Sequence, residues 1–147
     1  LESIGRYSAA IYRLAQSIFN VKLRDLEIGS GQYDFFLLIS RNEGISQKEL
    51  CDSLYVEKST TAKAVKHLVS KGYVDSRQIE NDKRYSSLYL TDKGRAASAA
   101  VETVFADILD VFYRGIPDTD AVQTIGVMKR VIRNLQEEKA TASAGGT

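Results

Sequence analysis

Between Ser46 and Leu90 the apolar residues change period once, from helical to alternating, and this switch restricts the chain to few folds. Ser46-Gln47-Lys48-Glu49 reads as a capping box, in which the serine hydroxyl serves the third amide and the glutamate reaches back. It predicts a short helix from Gln47 to Leu54 with Leu50 and Leu54 facing inward. A brief turn at Tyr55-Val56-Glu57 leads to a longer helix from Lys58 to Lys71, closed by Gly72. Two helices joined by so short a turn form a helix-turn-helix. Tyr73–Ile79 and Tyr85–Leu90 then read as strands, the second with Leu88 and Leu90 on one face and Ser87 and Tyr89 on the other. The stretch between them, Glu80-Asn81-Asp82-Lys83-Arg84, is a charged hairpin tip.

Helices flank this unit on both sides. From Ile4 to Leu26 the apolar residues Ile4, Tyr7, Ile11, Leu14, Ile18 and Val21 follow helical spacing. Ser30 is a candidate cap for an almost wholly apolar helix from Gln32 to Arg41, which Asn42-Glu43-Gly44 stops. Thr91 caps the next helix, although Gly94 stands where a capping box would place Glu. Two long helices, Asp92–Arg114 and Asp118–Lys139, are separated by Gly115-Ile116-Pro117, and residues 140–147 form a small, polar tail expected to be disordered. The fold expected is mainly α with a small β-wing: a winged helix-turn-helix lobe over 31–91, helical dimerisation regions over 1–30 and 92–139, and a single structural domain overall.

The helix from Lys58 to Lys71 has two unlike faces. Thr61, Ala64, Val65 and Leu68 form one stripe that must pack inward, and Ser59, Lys63, Lys66, His67 and Ser70 form the other. Every residue of the outer stripe is polar and none is acidic, whereas a merely solvated face mixes both signs. Such a surface suits phosphates. From Gly44 to Arg95 ten Lys and Arg oppose seven Asp and Glu, about +3, while the net charge of the whole chain is +1. As a recognition helix it would enter the major groove of duplex DNA, with Ser59, Thr60 and Lys63 nearest the base edges and Lys66 and His67 reaching bases or phosphates. The hairpin's Lys83 and Arg84 are long enough to reach the neighbouring minor groove. The outer helices carry more apolar surface than one lobe covers. Two-fold pairing of them would set two recognition helices ~34 Å apart and would call for a pseudo-palindromic operator with half-sites roughly 10 bp apart. The same fold also serves elsewhere as a protein-interaction module, and that alternative remains open.

Leu50-Cys51-Asp52-Ser53-Leu54 through Leu68, then Lys71-Gly72-Tyr73-Val74, and Asp82-Lys83-Arg84 followed by Leu90-Thr91-Asp92-Lys93-Gly94, resemble the multiple-antibiotic-resistance regulator (MarR) family across the expected ordered chain. The resemblance implies an obligate homodimer of winged lobes that represses or activates nearby genes, often in response to small aromatic or phenolic ligands. It makes Arg84 the side chain inserted into the minor groove and Asp82 a brace for the wing, paired with Arg77. It also departs in one place: the family often has arginine where this chain has Ser76. A ligand cleft is expected among Tyr7, Ile11, Tyr33, Phe36 and Leu37, with Arg6 or Arg13 for a carboxylate, and plain core is the competing reading of these aromatics.

Catalysis and metal binding find little footing. His67 and Cys51 are the only His and Cys, too few for a four-ligand zinc site and without a third group to orient a nucleophilic pair. Cys51 sits inside the first helix of the helix-turn-helix, where a small apolar side chain belongs, and relatives that sense oxidants keep their cysteine near the N-terminus. No cofactor motif is present. No apolar run approaches the ~20 residues that span a bilayer, no secretory signal opens the sequence, and a lone cysteine suits a reducing cytoplasm.

Overall fold

The computed structural model describes residues 2–79 and 82–146, with backbone alone for 79 and 82–85. The element order is α1 (Ile4–Lys22), a 3-10 turn (Arg24–Leu26), α2 (Tyr33–Arg41), β1 (Ile45–Ser46), α3 (Gln47–Leu54), α4 (Lys58–Ser70), β2 (Val74–Ile79), β3 (Asp82–Leu90), α5 (Asp92–Tyr113) and α6 (Asp118–Ala144). The chain divides into two compact units, Leu1–Ile108 and Leu109–Thr147.

In the first unit the capping box forms in both directions: the Glu49 amide donates to Ser46 Oγ at 3.1 Å and the Ser46 amide to Glu49 Oε2 at 2.8 Å. These bonds hold the Glu49 carboxyl below its usual range. Ser46 also ends β1, a two-residue strand that alternation is too short to reveal. β1 makes the wing a three-stranded antiparallel sheet in the order β1-β3-β2, with Ile45 opposite Leu88 and Val74 opposite Leu90. Leu88, Leu90 and Val74 are buried, so the inward face of the wing is the one its alternation predicts.

The helix-turn-helix closes through Tyr55, whose left-handed backbone (φ 56°) ends α3 and turns the chain into α4. Thr61, Ala64, Val65 and Leu68 are all buried against α2 and α3, joining Phe36, Ile39 and Leu50 in the core. At its C-terminus α4 is finished by a Schellman motif. Gly72 (φ 76°) donates to Val69 O at 3.0 Å and Tyr73 to Leu68 O at 2.9 Å, satisfying carbonyls that the helix end would leave open.

Several boundaries differ from expectation. Ser30 does not cap α2: its amide donates to Asn20 Oδ1 at 2.7 Å, and Gln32 occupies the cap position with its own Oε1 accepting from Gly29. The first helix gives way to the 3-10 turn before Leu26. Asp82–Arg84 belong to β3 rather than to the hairpin tip, and Glu80 and Asn81 lie outside the described residues. The register breaks between Gln78, opposite Ser86, and Ile79, opposite Asp82, so β3 carries three more residues there than β2. The last helix runs to Ala144, because Ala140, Ala142 and Ala144 are good helix formers and continue it beyond Lys139.

The missing glutamate at the start of α5 has a steric cause. Gly94 is buried, and a Cβ there would stand 2.2 Å from the Tyr73 carbonyl oxygen. Thr91 still serves the helix start, with its Oγ1 accepting from the Gly94 amide at 3.0 Å. Gly94→Ala should therefore lower the unfolding free energy by about 2 kcal/mol despite alanine's better helix propensity, because backbone has to move. Denaturant melts of the two proteins check this, and equal midpoints would show that the junction yields freely.

Candidate nucleic-acid interface

On a helix advancing 100° per residue, Ser59, Lys63, Lys66 and Ser70 fall within about 60° of arc. All four are exposed, with Thr60 exposed on the flank beside them. No acid stands on this face. The Ser70 hydroxyl is turned back onto its own helix, donating to His67 O at 2.8 Å.

His67 is placed differently from the rest of the predicted stripe. It is half-buried on the flank, and its Nε2 lies 3.0 Å from the carbonyl oxygen of Glu27 in the segment after α1. Lys71, one turn on, holds the Glu27 carboxylate at 3.0 Å and keeps its pKa below the usual range.

Behind the helix, the wing and α5 are tied to its C-terminus. The Thr91 amide donates to Tyr73 O, the Thr91 hydroxyl to Gly72 O, and Lys93 Nζ to Lys71 O at 2.6 Å while lying 4.4 Å from the centroid of the Tyr73 ring. The Tyr73 hydroxyl donates to Leu26 O at 2.8 Å. Glu43 Oε1 accepts both the Leu90 amide at 2.8 Å and Arg95 Nη1 at 3.0 Å, joining the end of the wing to α5. The sequence reading missed Glu43, which stood in a segment read only as a helix stop.

On the outward face of the wing the Arg77 guanidinium sits 4.3 Å from the centroid of the Tyr89 ring, a cation–π contact. The side chains of Asp82, Lys83 and Arg84 lie outside the described residues, so the expected brace between Asp82 and Arg77 remains an expectation.

Inside the helix-turn-helix Cys51 is half-buried, and its thiol donates to Thr61 Oγ1 at 3.1 Å; the Thr61 hydroxyl is also 3.3 Å from Glu57 O. Its place is in the packing of α3 on α4.

The expected ligand-cleft residues occupy different surroundings. Tyr33, Phe36 and Leu37 are core, with Tyr33 stacked on Phe19 at 3.6 Å between centroids, and burial pushes the Tyr33 phenol pKa up. Tyr7, Ile11 and Arg6 lie on the exposed side of α1, the Arg6 guanidinium 5.8 Å from the Tyr7 ring. Arg13 lines a cleft of about 420 Å³ together with Tyr12, Gln16, Ser17, Asn20 and Ser30. Gln16 is 7% exposed, and neither its Nε2 nor its Oε1 has a hydrogen-bond partner. Sequence reasoning passed over it. No local signal marked it, because α1 carries apolar residues on two sides.

The comparisons with known proteins agree with this geometry. A family model described as the MarR family matches residues 26–84, the span from the 3-10 turn to the wing. An uncharacterized HTH-type transcriptional regulator, YybA, of Bacillus subtilis (strain 168) is 26% identical over 138 residues, covering 94% of this chain and 92% of that protein. A solved MarR protein from Peptoclostridium difficile DA00132 is 29% identical with a TM-score of 0.85, covering 97% of this chain and 94% of its own. Over residues 26–84 this chain is similar to the MarR family. It is a winged-helix transcription regulator, and its relatives being regulators answers the enzyme reading. A MarR-family structure from Listeria monocytogenes, complexed with 26mer DNA, shares the fold at a TM-score of 0.86 and 24% identity, covering 100% of this chain and 98% of its own. Among the described residues no helix is long and apolar enough to cross a membrane, and no group of three or more His, Cys, Asp or Glu is placed to hold a metal ion.

One half-buried acid, in the first turn of α2, makes stability pH-dependent. Burial raises the Asp34 carboxyl above its ordinary value, partly offset by a hydrogen bond from Tyr33. A raised folded-state pKa means that the fold prefers the protonated acid, so stability from this group is lost as pH rises from the unfolded value through the folded one. Asp34→Asn should therefore gain on the wild type across that window, just above the ordinary aspartate range, and keep a constant difference at higher pH. Thermal melts of both proteins from pH 3 to pH 8 test this; a gap that is flat with pH would contradict it.

Proposed function

We propose that this chain is a homodimeric, sequence-specific regulator of transcription that reads a pseudo-palindromic operator in duplex DNA with α4 and its wing. The observation that carries the reading is the exposed, acid-free face of Ser59, Lys63, Lys66 and Ser70 on a helix whose other face is core. Phosphate contacts need cations unscreened by neighbouring carboxylates, and short hydroxyl side chains at the helix start suit base edges. Arg84 on β3 serves as the minor-groove contact, with Lys83 beside it. The fold neighbour solved with 26mer DNA supports the same use.

The dimer is supported by apolar surface left without a partner. On α1 Ile4, Tyr7, Ile11, Leu14, Ile18 and Val21 are all exposed, Leu14 to 68%. In the second unit no residue of α6 is buried, and Val122, Ile125, Val127 and Leu135 are exposed. Patches of this extent on a soluble chain mark an association surface. Residues 1–30 and 92–139 are the dimerisation region in this reading, and 31–91 the DNA-binding lobe, working in the cytoplasm where the DNA is. By occupying a promoter the dimer represses.

The cleft holding Gln16 and Arg13 supports control by a small aromatic acid. A buried amide without partners costs about 1–3 kcal/mol, and a phenol or carboxylate entering the cleft would relieve that. A ligand that prefers the conformation unable to bind DNA lowers DNA affinity by its differential affinity for the two states. The winged-helix protein-interaction reading finds less support, because such a module would expose apolar anchors on α4 rather than lysines.

The test is binding to a fragment of the chain's own upstream region across a salt series, beside a scrambled fragment. Tight selective binding should fall steeply with salt, and Lys63→Ala, Lys66→Ala and Arg84→Ala should each weaken it, reducing the log–log salt slope by about 0.9 for each phosphate no longer neutralised. Absence of binding to either fragment at low salt would overturn the reading in favour of a protein partner. Saturating phenolic acid should weaken DNA binding and raise the melting temperature; if it does neither, ligand control through this cleft is excluded.

A further inference from the structure

The segment between α1 and α2 grips the recognition helix at its C-terminal half. The His67 Nε2 to Glu27 O contact (3.0 Å), the Lys71 to Glu27 ion pair (3.0 Å) and the Tyr73 hydroxyl to Leu26 O bond (2.8 Å) bring side chains from α4 and the two residues after its last turn onto two consecutive connector residues. The connector is shaped to receive them. Glu27 ends the 3-10 turn in the left-handed region (φ 52°), its own amide bonded back to Arg24 O at 3.1 Å, and the carbonyls at such an end lack partners within the turn. Because a carbonyl can only accept, the imidazole proton must sit on Nε2 and point at Glu27.

We propose that His67 is a positioning residue for DNA recognition rather than a contact residue: with Lys71 it latches α4 to the Glu27 connector and sets the rotation at which Ser59, Lys63 and Lys66 are presented. The inference rests on the DNA-binding reading above. His67 and Lys71 stand roughly 60–120° around the helix from the outward face, on the side that meets the connector. The packed stripe of Thr61, Ala64, Val65 and Leu68 holds the helix against the core, but apolar contacts are non-directional, and directional bonds on a flank are what resist rotation about the helix axis. Side-chain tips lie about 5–6 Å from that axis, so a turn of about 10° shifts them by about 1 Å. Base recognition tolerates about half of that.

The experiment compares the full chain with His67→Ala and His67→Gln on its operator, on a panel of operators each altered at one base pair, and across a salt series, with a melting temperature for each protein. Glutamine carries its Nε2 the same number of bonds from Cβ and can donate to the same carbonyl. His67→Ala should weaken binding to every operator in the panel by the same factor, about three- to tenfold, and keep the wild-type salt slope. His67→Gln should recover most of that loss with unchanged base preference. A loss confined to one base pair would make His67 a base reader and overturn the proposal. A salt slope reduced by about one would make it a phosphate contact, with the same consequence. Full affinity in His67→Ala, or no recovery in His67→Gln, would show the latch to be idle. If His67→Ala fails to fold, the base preference and slope of His67→Gln decide alone, since glutamine replacing a base reader changes the preference. Absence of DNA binding by the wild type would overturn the DNA reading itself, and this proposal with it.

Discussion

The approach of Gly94 to the Tyr73 carbonyl is the constraint on which the DNA-facing half of the molecule depends. With no Cβ at Gly94, the start of α5 packs against the two residues that end α4 and begin the wing. Three elements thus share one joint. The Schellman closure at Gly72 and Tyr73 ends the recognition helix, Thr91 bonds to both of those residues, and Tyr73 in turn reaches Leu26 before the first long loop. The Tyr73 ring adds packing, edge-on to Phe36 at 6.0 Å and beneath Lys93. A winged helix reads DNA with two surfaces, helix and hairpin, so a rigid joint between them keeps both in register with adjacent grooves.

Around that joint, polar groups are satisfied by side chains that local spacing does not announce. Glu43 takes the Leu90 amide and Arg95 together, and Arg41 binds Glu102 through two bonds of 2.8 and 2.6 Å while lying 5.0 Å from the Phe105 ring. These contacts join α2 and the loop after it to α5, residues more than fifty positions apart. Their directionality complements the apolar core, which supplies burial but not a unique angle.

The helix-turn-helix was legible because its signals are local: a capping box within four residues, a 3.6-residue apolar stripe, a glycine at the end of the helix. The outward basic face was legible for the same reason. What local spacing left illegible has one shared cause. His67 falls beside the polar stripe on the helix wheel, yet its partner is forty residues away in sequence. On α1 the apolar spacing identified a helix but not which side meets its own core: Phe19 and Gln16 face the core, and Ile4, Ile11 and Leu14 face outward. An amphipathic helix with apolar residues on two sides gives no local hint of which side meets its own core.

Helix and strand identity, the caps, the inward face of α4 and the charge of its outward face follow from the sequence by itself, because each depends on residues within one or two turns of each other. The third strand, the steric need for Gly94, the latch of Glu27 on the recognition helix and the partnerless Gln16 were decided only by tertiary structure. Each of these depends on which distant segment arrives at a given surface, and that is set by the packing of the whole lobe rather than by any local period.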